Sequence, residues 1–143
     1  MYIDRQNKFS INQALTATTV STDVIDLGSD RNIGIGEPLA VVLTVDVAAG
    51  GTSPTLAFAI QTDDNVGFSS AATVASSATL AGAVLLAGAQ FVLPVPPDLS
   101  TERFIRVNYT VGGTSPTVTV SCQLQPMNMI QNYVSYPDGF TIS

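Results

Sequence analysis

Few side chains in this 143-residue sequence could act in catalysis or bind a metal, and their types limit which reactions and metal sites are possible. The chain has no histidine and a single cysteine, Cys122. Histidine is the commonest general base and metal ligand, and thiolate zinc or iron–sulfur sites need several cysteines. A lone cysteine without a histidine also lacks the base that usually activates a thiol nucleophile. We therefore interpret Cys122 as a small buried residue of a strand.

The remaining candidates are carboxylates in turn-like segments. Asp63 and Asp64 stand together in TDDN, and with Asn65 they offer the hard oxygen ligands that calcium prefers. The spacing of an EF-hand loop is absent, so a solvated turn is the favoured interpretation. For Asp26 and Asp30 in DLGSDRN, a solvated turn is likewise favoured over a calcium site.

No recognisable catalytic motif accompanies these carboxylates. The segment GIG at 34–36 is half of a dinucleotide-binding fingerprint, but it lacks the third glycine and precedes a strand pattern instead of a helix. Paired carboxylates of the glycosidase type stay open, since such pairs form in space. Because no nucleophile, base and orienting group are visible together, we expect no enzyme, no catalytic residue, no cofactor and no metal.

Charge narrows the range of partners. Charged residues make up 11% of the chain, against a usual share of about 25%, and the net charge is −6. Binding to nucleic-acid phosphates needs clustered Lys and Arg, and the basic residues of this chain are scattered, so we expect no nucleic-acid partner. The basic residues are Arg5, Lys8, Arg31, Arg103 and Arg106.

The most apolar window, 79–97, approaches the length of a membrane span. It contains Gly82, Gly88 and Gln90, ends in three prolines, and has no basic flank. We interpret it as a buried strand entered from an Ala/Gly-rich loop, and we expect no membrane partner. The polar residues that follow the first five positions predict no secretory signal.

The phrase GGTSPT occurs twice, at 50–55 and 112–117. Alternating apolar residues flank both copies, which predicts a strand on each side. A phosphate-binding loop would lead into a helix and have a lysine nearby, so that function is disfavoured. We predict that each copy joins two antiparallel strands, its glycines supplying positive φ and its proline interrupting the ladder.

Further strands are predicted at 19–27, 90–95 and 132–136, with an eighth within 71–86. Several short strands separated by turn signals indicate an all-β sandwich or barrel.

Helix is scarce in the pattern. Ser10 and Gln13 fit a capping box, which predicts a short helical turn. A helix is also the alternative to the eighth strand, because four residues there have helical spacing: Val74, Ala78, Ala81 and Leu85.

Both termini carry aromatic side chains among polar residues. We predict a single domain, with an N-terminal arm at 1–17, the sandwich at 18–125 and a C-terminal arm at 126–143. The arms dock either on a neighbouring subunit, where Tyr and Phe are favoured, or on their own sandwich. The candidate interface residues are Tyr2, Arg5, Phe9, Tyr133, Tyr136 and Phe140.

Several segments resemble, in order along the chain, the jelly-roll cement proteins that decorate the heads of tailed bacteriophages. The most specific are the opening MYIDRQN and the stretch ERFIRVNYTVGGTSPTVTVS. The others are VSTDVIDLG, NIGIGEPL, QTDDNVGFSS, LPVPP and QNYVSYPDGF.

This resemblance implies an antiparallel β-sandwich of jelly-roll type with extended N- and C-terminal arms. It further implies a structural virion protein, made in the host cytoplasm, that binds the outer surface of a phage head and cements adjacent major capsid subunits. Such proteins associate with themselves as dimers or trimers. The alternative is a carbohydrate- or receptor-binding β-sandwich module of a tail or spike, with a ligand held by loops such as TDDN.

Overall fold

The computed structural model describes residues 5–29, 38–96 and 102–127. Within these ranges the chain is almost entirely β-structure, preceded by one 3-10 helix at Arg5–Asn7. The strands are β1 Lys8–Leu15, β2 Thr19–Val20, β3 Ile25–Asp26, β4 Leu39–Asp63, β5 Ala72–Ser76, β6 Leu80–Ala81, β7 Gln90–Pro94 and β8 Phe104–Pro126. Three features named in the sequence analysis lie outside the described residues: the predicted strand at 132–136, Asp30 and the GIG segment.

The two longest strands, β4 and β8, form the frame of the molecule. They pair with one another antiparallel from Leu39↔Pro126 to Asp63↔Phe104. The outer strands attach to the two halves of this ribbon. Near residues 39–45 of β4 the order is β1-β8-β4-β7, and near residues 55–63 strands β2 and β3 flank β8 while β5 and β6 flank β4.

The two halves of the ribbon cover a single core. Val41 and Val45 of the first half of β4 belong to the same buried cluster as Leu56 and Ile60 of its second half, together with Tyr109 of β8. The ribbon is therefore folded across its middle into two facing four-stranded layers. Two facing layers with these strand orders form a jelly roll. The predicted antiparallel, all-β sandwich is therefore confirmed.

The fold occurs where the two GGTSPT segments meet. Gly50 pairs with Thr117, Thr55 with Gly112, and Thr52 with Thr114, between register shifts on both sides. The first position of each copy thus faces the last position of the other, and the third faces the third. The two copies are related by a local twofold axis between the two central threonines.

The prediction that each GGTSPT joins two antiparallel strands of a hairpin is therefore wrong. Each copy lies inside one continuous bent strand, and the two copies pair with each other. The glycines serve the bend: Gly51 and Gly113 have φ of 98° and 107°. Ser53 and Ser115 share a φ of 50°, so both copies adopt the same unusual backbone.

The bend also changes which residues face the core. In β4 the residues of the core cluster are odd-numbered at 41–45 and even-numbered at 56–60, and in β8 they are odd at 105–109 and even at 118–122. Successive side chains of a strand point to opposite faces, so each GGTSPT changes the alternation by one residue. This keeps an apolar face toward the core on both sides of the bend.

Three local predictions need correction. Segment 19–27 is two short strands, because the Ser21 hydroxyl accepts the Val107 N–H at 3.1 Å in place of a continuous backbone ladder. The residues from Ser10 to Gln13 lie in strand β1, where a bulge gives Asn12 a φ of 47°, and not in a helical turn. The helical alternative at 74–85 is wrong, because β5 and β6 occupy this region as edge strands.

The close approach of the two GGTSPT segments predicts a selective effect of adding one methyl group. A Cβ on Gly113 would lie 2.7 Å from the Ser53 carbonyl oxygen and 2.9 Å from that of Thr52, whereas a Cβ on Gly88 would meet nothing within 4 Å. Both glycines have positive φ, and such backbone strain costs of order 1–3 kcal/mol for other residues. We expect Gly113→Ala to lower the free energy of unfolding in urea by more than Gly88→Ala does.

Gly88→Ala is the matched control, since it carries the backbone strain without the overlap. Equal losses for the two variants would show that the two segments do not approach each other in this way.

Candidate functional site

The structure divides the predicted interface residues into two groups. Arg5 lies in the 3-10 helix, and Phe9 lies in β1 with no exposed surface. Tyr2, Tyr133, Tyr136 and Phe140 lie outside the described residues. Because a fully buried side chain cannot contact a neighbouring subunit, the assignment of Phe9 to an interface is wrong. Strand β1, which the sequence analysis placed in the N-terminal arm, pairs with β8.

A network of hydrogen-bonded polar side chains crosses the core between β1 and β8. The Ser10 hydroxyl donates to Gln13 Oε1 at 2.6 Å, so the Tyr109 hydroxyl, 2.7 Å away, donates to Ser10 Oγ. Gln13 extends the network, because its side chain accepts a hydrogen bond from the Thr22 N–H and donates one to the Val20 carbonyl. Buried polar groups are costly unless they are hydrogen-bonded, and here each hydroxyl has a partner, so the network fixes β1 against the rest of the sandwich.

Cys122 lies beside this network, buried and hydrogen-bonded to the Tyr109 hydroxyl. Burial raises the pKa of the Cys122 thiol to about 12. Burial, with a contribution from Cys122, also raises the pKa of Tyr109 far above its ordinary value. Both groups therefore stay protonated at neutral pH. The thiolate is the nucleophilic form of cysteine, so Cys122 acts as a core residue, as the sequence indicates.

Asp63 organises the loop that follows β4. One carboxylate oxygen accepts the Asn65 N–H at 2.9 Å and the other accepts the Ser70 N–H at 2.7 Å. The Asn65 N–H lowers the pKa of Asp63, Ser70 adds to that effect, and burial opposes it. Asp63 has no exposed surface. The predicted solvated turn is thus wrong for Asp63, which is a buried anchor of the loop.

The calcium alternative at this loop has a geometric basis. One carboxylate oxygen from each of Asp63, Asp64 and Glu102 lies within 4.8 Å of the others. However, both oxygens of Asp63 already accept hydrogen bonds from the loop itself. The cluster is accounted for by that structural role, and we assign no metal to it.

Two arginines hold the surface at the same end of the sandwich. Arg106 donates to Gln61 Oε1 at 2.9 Å and lies over the ring of Phe68 at 4.2 Å, a cation–π contact that covers the loop after β4. Arg103 makes a bidentate ion pair with Asp26, in which Nε and Nη2 donate to the two carboxylate oxygens at 2.8 Å and 3.0 Å. These pairs join β8 to β4 and to β3.

An open cleft lies beside β3. Its volume is about 590 Å³. The lining mixes polar and apolar groups, including Asn7, Lys8, Asp23, Val24 and Asp26. A polar cleft of this kind could hold a hydrophilic ligand, and no sequence motif marked it, because its residues come from two segments about fifteen positions apart.

Within residues 5–29, 38–96 and 102–127, no helix is long and apolar enough to cross a membrane. The window at 79–97 instead contributes β6 and β7, where Leu85 and Val95 belong to the core.

Fold and site together define a jelly-roll sandwich whose buried polar groups serve the packing of its strands. A family model named Bbp16 matches residues 9–124. The match covers most of the chain, from within β1 to within β8, and the chain belongs to the Bbp16 family. No curated protein sequence matches the chain.

The buried hydroxyl network predicts coupled losses of stability. Ser10→Ala leaves the Tyr109 hydroxyl without its acceptor, and Tyr109→Phe removes the donor, so each change should lower the free energy of unfolding by about 1–3 kcal/mol. Since the two groups share one hydrogen bond, the double variant should lose less than the sum of the single losses. Urea unfolding of the four proteins measures this, and additive losses would contradict the network.

The ion pair of Asp26 predicts a pH dependence. The hydrogen bonds from Arg103 and then from the Gly28 N–H lower the pKa of Asp26 from 3.8 to about 2. A carboxylate with a lowered folded-state pKa stabilises the fold above its unfolded pKa, and this contribution is lost as the pH falls through the folded value. The stability difference between wild type and Asp26→Asn should be constant above about pH 5 and should vanish between about pH 4 and 2.

Thermal unfolding across this pH range measures the difference. Asp23→Asn is the comparison variant, since it removes the same charge from the lining of the same cleft and leaves the ion pair of Asp26 with Arg103 in place. A difference for Asp26→Asn that persists at pH 2 would contradict the assigned pairing.

Proposed function

We propose that this protein is a structural virion protein that binds the outer surface of a phage head and cements adjacent major capsid subunits. The observation that carries the proposal is the jelly roll folded about its paired GGTSPT segments. The stretch ERFIRVNYTVGGTSPTVTVS, which resembles phage cement proteins most specifically, supplies half of that frame, the strand β8.

The chemistry of the described residues supports a role in adhesion. The titratable groups of the core are a tyrosine and a cysteine that stay protonated, and the carboxylates with lowered pKa are engaged by loop amides or by Arg103. The two layers share one core and every described buried polar side-chain atom has a hydrogen-bond partner, and a preorganised surface of this kind binds with little loss of conformational entropy. We propose a protein without enzymatic activity whose partners are the major capsid protein and further copies of itself.

A reconstitution experiment tests the proposal. Purified protein is mixed with heads that lack it, and bound protein is measured by sedimentation and quantitative gel analysis. We expect saturable binding at a fixed ratio to the major capsid protein, and a higher temperature of head disruption. Heads that bind no protein at micromolar concentration, or that bind it without a fixed ratio, would overturn the proposal.

The open cleft beside β3 favours a second candidate, a carbohydrate- or receptor-binding module. Its polar lining and volume of about 590 Å³ suit a small hydrophilic ligand. A glycan array would distinguish the two candidates, since specific binding that Asp23→Ala abolishes would support the module and not the cement protein.

A further inference from the structure

One layer of the sandwich has buried side chains on the side that points away from the core. Ala40 and Val42 of β4 have no exposed surface, and Gln125, the cross-strand partner of Ala40, is 4% exposed. None of these residues belongs to the core cluster, whereas Val41 and Leu43, which alternate with them along β4, do. Successive side chains of a strand point to opposite faces, so Ala40, Val42 and Gln125 lie on the outward side of the layer. We name these three residues and their surroundings the outer face.

The neighbouring side chains do not explain this burial. Val42 stands in one row between Val92 of β7 and Gln123 of β8. Val92 is 39% exposed and Gln123 is half-buried, so the middle of the row is buried although its ends are not. A side chain on an open sheet face keeps part of its surface in water, whereas Val42 keeps none. Other parts of the chain therefore lie over the two central strands at this point.

No described element provides this cover. All eight described strands belong to the two layers, and the second layer packs against the opposite side of the first. The 3-10 helix at Arg5–Asn7 leads into β1, which β8 separates from β4. The cover therefore comes from one of the four segments that lie outside the described residues, which are 1–4, 30–37, 97–101 and 128–143.

Connectivity disfavours three of these segments. Residues 30–37 join β3 of the second layer to β4 in the first, and residues 97–101 join β7 of the first layer to the start of β8 in the second. A segment that joins the two layers is not free to lie along the outer face. Residues 1–4 are few, and they precede the 3-10 helix on the far side of β8 from Val42.

The remaining segment, 128–143, starts at the outer face. The Met127 N–H donates to the Pro38 carbonyl at 2.8 Å, and these residues are two positions from Gln125 and Ala40 in the sequence. Sixteen residues follow Met127, a reach of about 50 Å when extended. Seven of them are large and apolar: Met129, Ile130, Tyr133, Val134, Tyr136, Phe140 and Ile142.

We infer that residues 128–143 fold back over the outer face of their own subunit and bury Ala40, Val42 and Gln125. Tyr133, Tyr136 and Phe140, predicted as interface residues, then make contacts within one subunit. A capsid shell or a neighbouring copy would meet the back of this segment instead of the sheet. The inference goes beyond the proposed function and does not depend on it.

Labelling of an introduced cysteine with a maleimide, in the full chain, tests the inference. Val42→Cys places a thiol under the proposed cover, and Val92→Cys is the matched control beside it in the same row. Wild type gives the background, since its Cys122 is buried. We expect Val42→Cys to react at least about 10-fold more slowly than Val92→Cys, because a buried thiol reacts only when the structure opens locally. The rate should not depend on protein concentration, since the cover belongs to the same chain.

A second set of variants identifies the covering segment. Tyr133, Tyr136 and Phe140 are changed together to Ser in the Val42→Cys and Val92→Cys proteins. We expect labelling of Val42→Cys to become about 10-fold faster or more, and that of Val92→Cys to stay the same. Labelling of Cys122 should stay at background, which shows that the core has not opened. Changing Tyr2 and Ile3 to Ser is the control for the other end of the chain and should leave Val42→Cys protected.

Equal labelling of Val42→Cys and Val92→Cys with the C-terminal segment unchanged would overturn the inference, since the outer face would then be open. Protection that survives the three changes to Ser, or that is lost with Tyr2 and Ile3, would assign the cover to another segment and also overturn it. Protection that disappears on dilution would place a neighbouring copy over this face, with the same result. Head binding in the reconstitution experiment tests the proposed function separately, because the labelling uses the free subunit.

Discussion

The pairing of β4 with β8 across their shared bend is the constraint on which the rest of the structure depends. Each strand is long enough to serve both layers of the sandwich, so one antiparallel ribbon supplies the two central strands of each layer. The shorter strands add only at its edges. The bend must reverse the inward face of both strands at the same place, and the repeated GGTSPT does this with matched backbone angles in the two copies.

The polar groups inside the sandwich have a related role. Core packing of Val, Leu and Ile is tolerant of small shifts, whereas a hydroxyl in an apolar core needs its partner at one position. The Tyr109 and Ser10 hydroxyls therefore fix the register of β1 on β8, next to the bulge at Asn12 where that register changes. A one-residue slip would leave two buried hydroxyls unsatisfied and would turn the apolar face of β1 outward.

The sequence predicts much of the fold because alternation is a local property. The apolar periodicity around 39–47, 56–62, 104–111 and 118–124 places strands that the structure contains. The hairpin interpretation is wrong because the same glycines and proline suit both a turn between two strands and a bend within one strand. Only the residues paired across the ladder distinguish these two arrangements. The change of inward parity across each GGTSPT fits either arrangement, because a hairpin loop and a bulged bend can both shift the alternation by one residue.

Other parts of the candidate site could not be predicted from local pattern. The burial of Asp63 depends on Ser70, which returns to it from the far side of a loop. The Ser10–Tyr109 hydrogen bond joins residues 99 positions apart. What local pattern did establish for the site was the burial of Cys122.

The ladder between β4 and β8 also governs how the chain reaches this state. Its rung nearest in sequence, Asp63↔Phe104, joins residues 41 positions apart, and its farthest, Leu39↔Pro126, joins residues 87 apart. Contacts of such separation close large loops, and folds dominated by them form in roughly milliseconds to seconds. A nascent chain can pair β4 with β5, β6 and β7 first, but the other edge of β4 stays unpaired until β8 has been synthesised. That edge depends on dilution or chaperones until the last third of the polypeptide emerges.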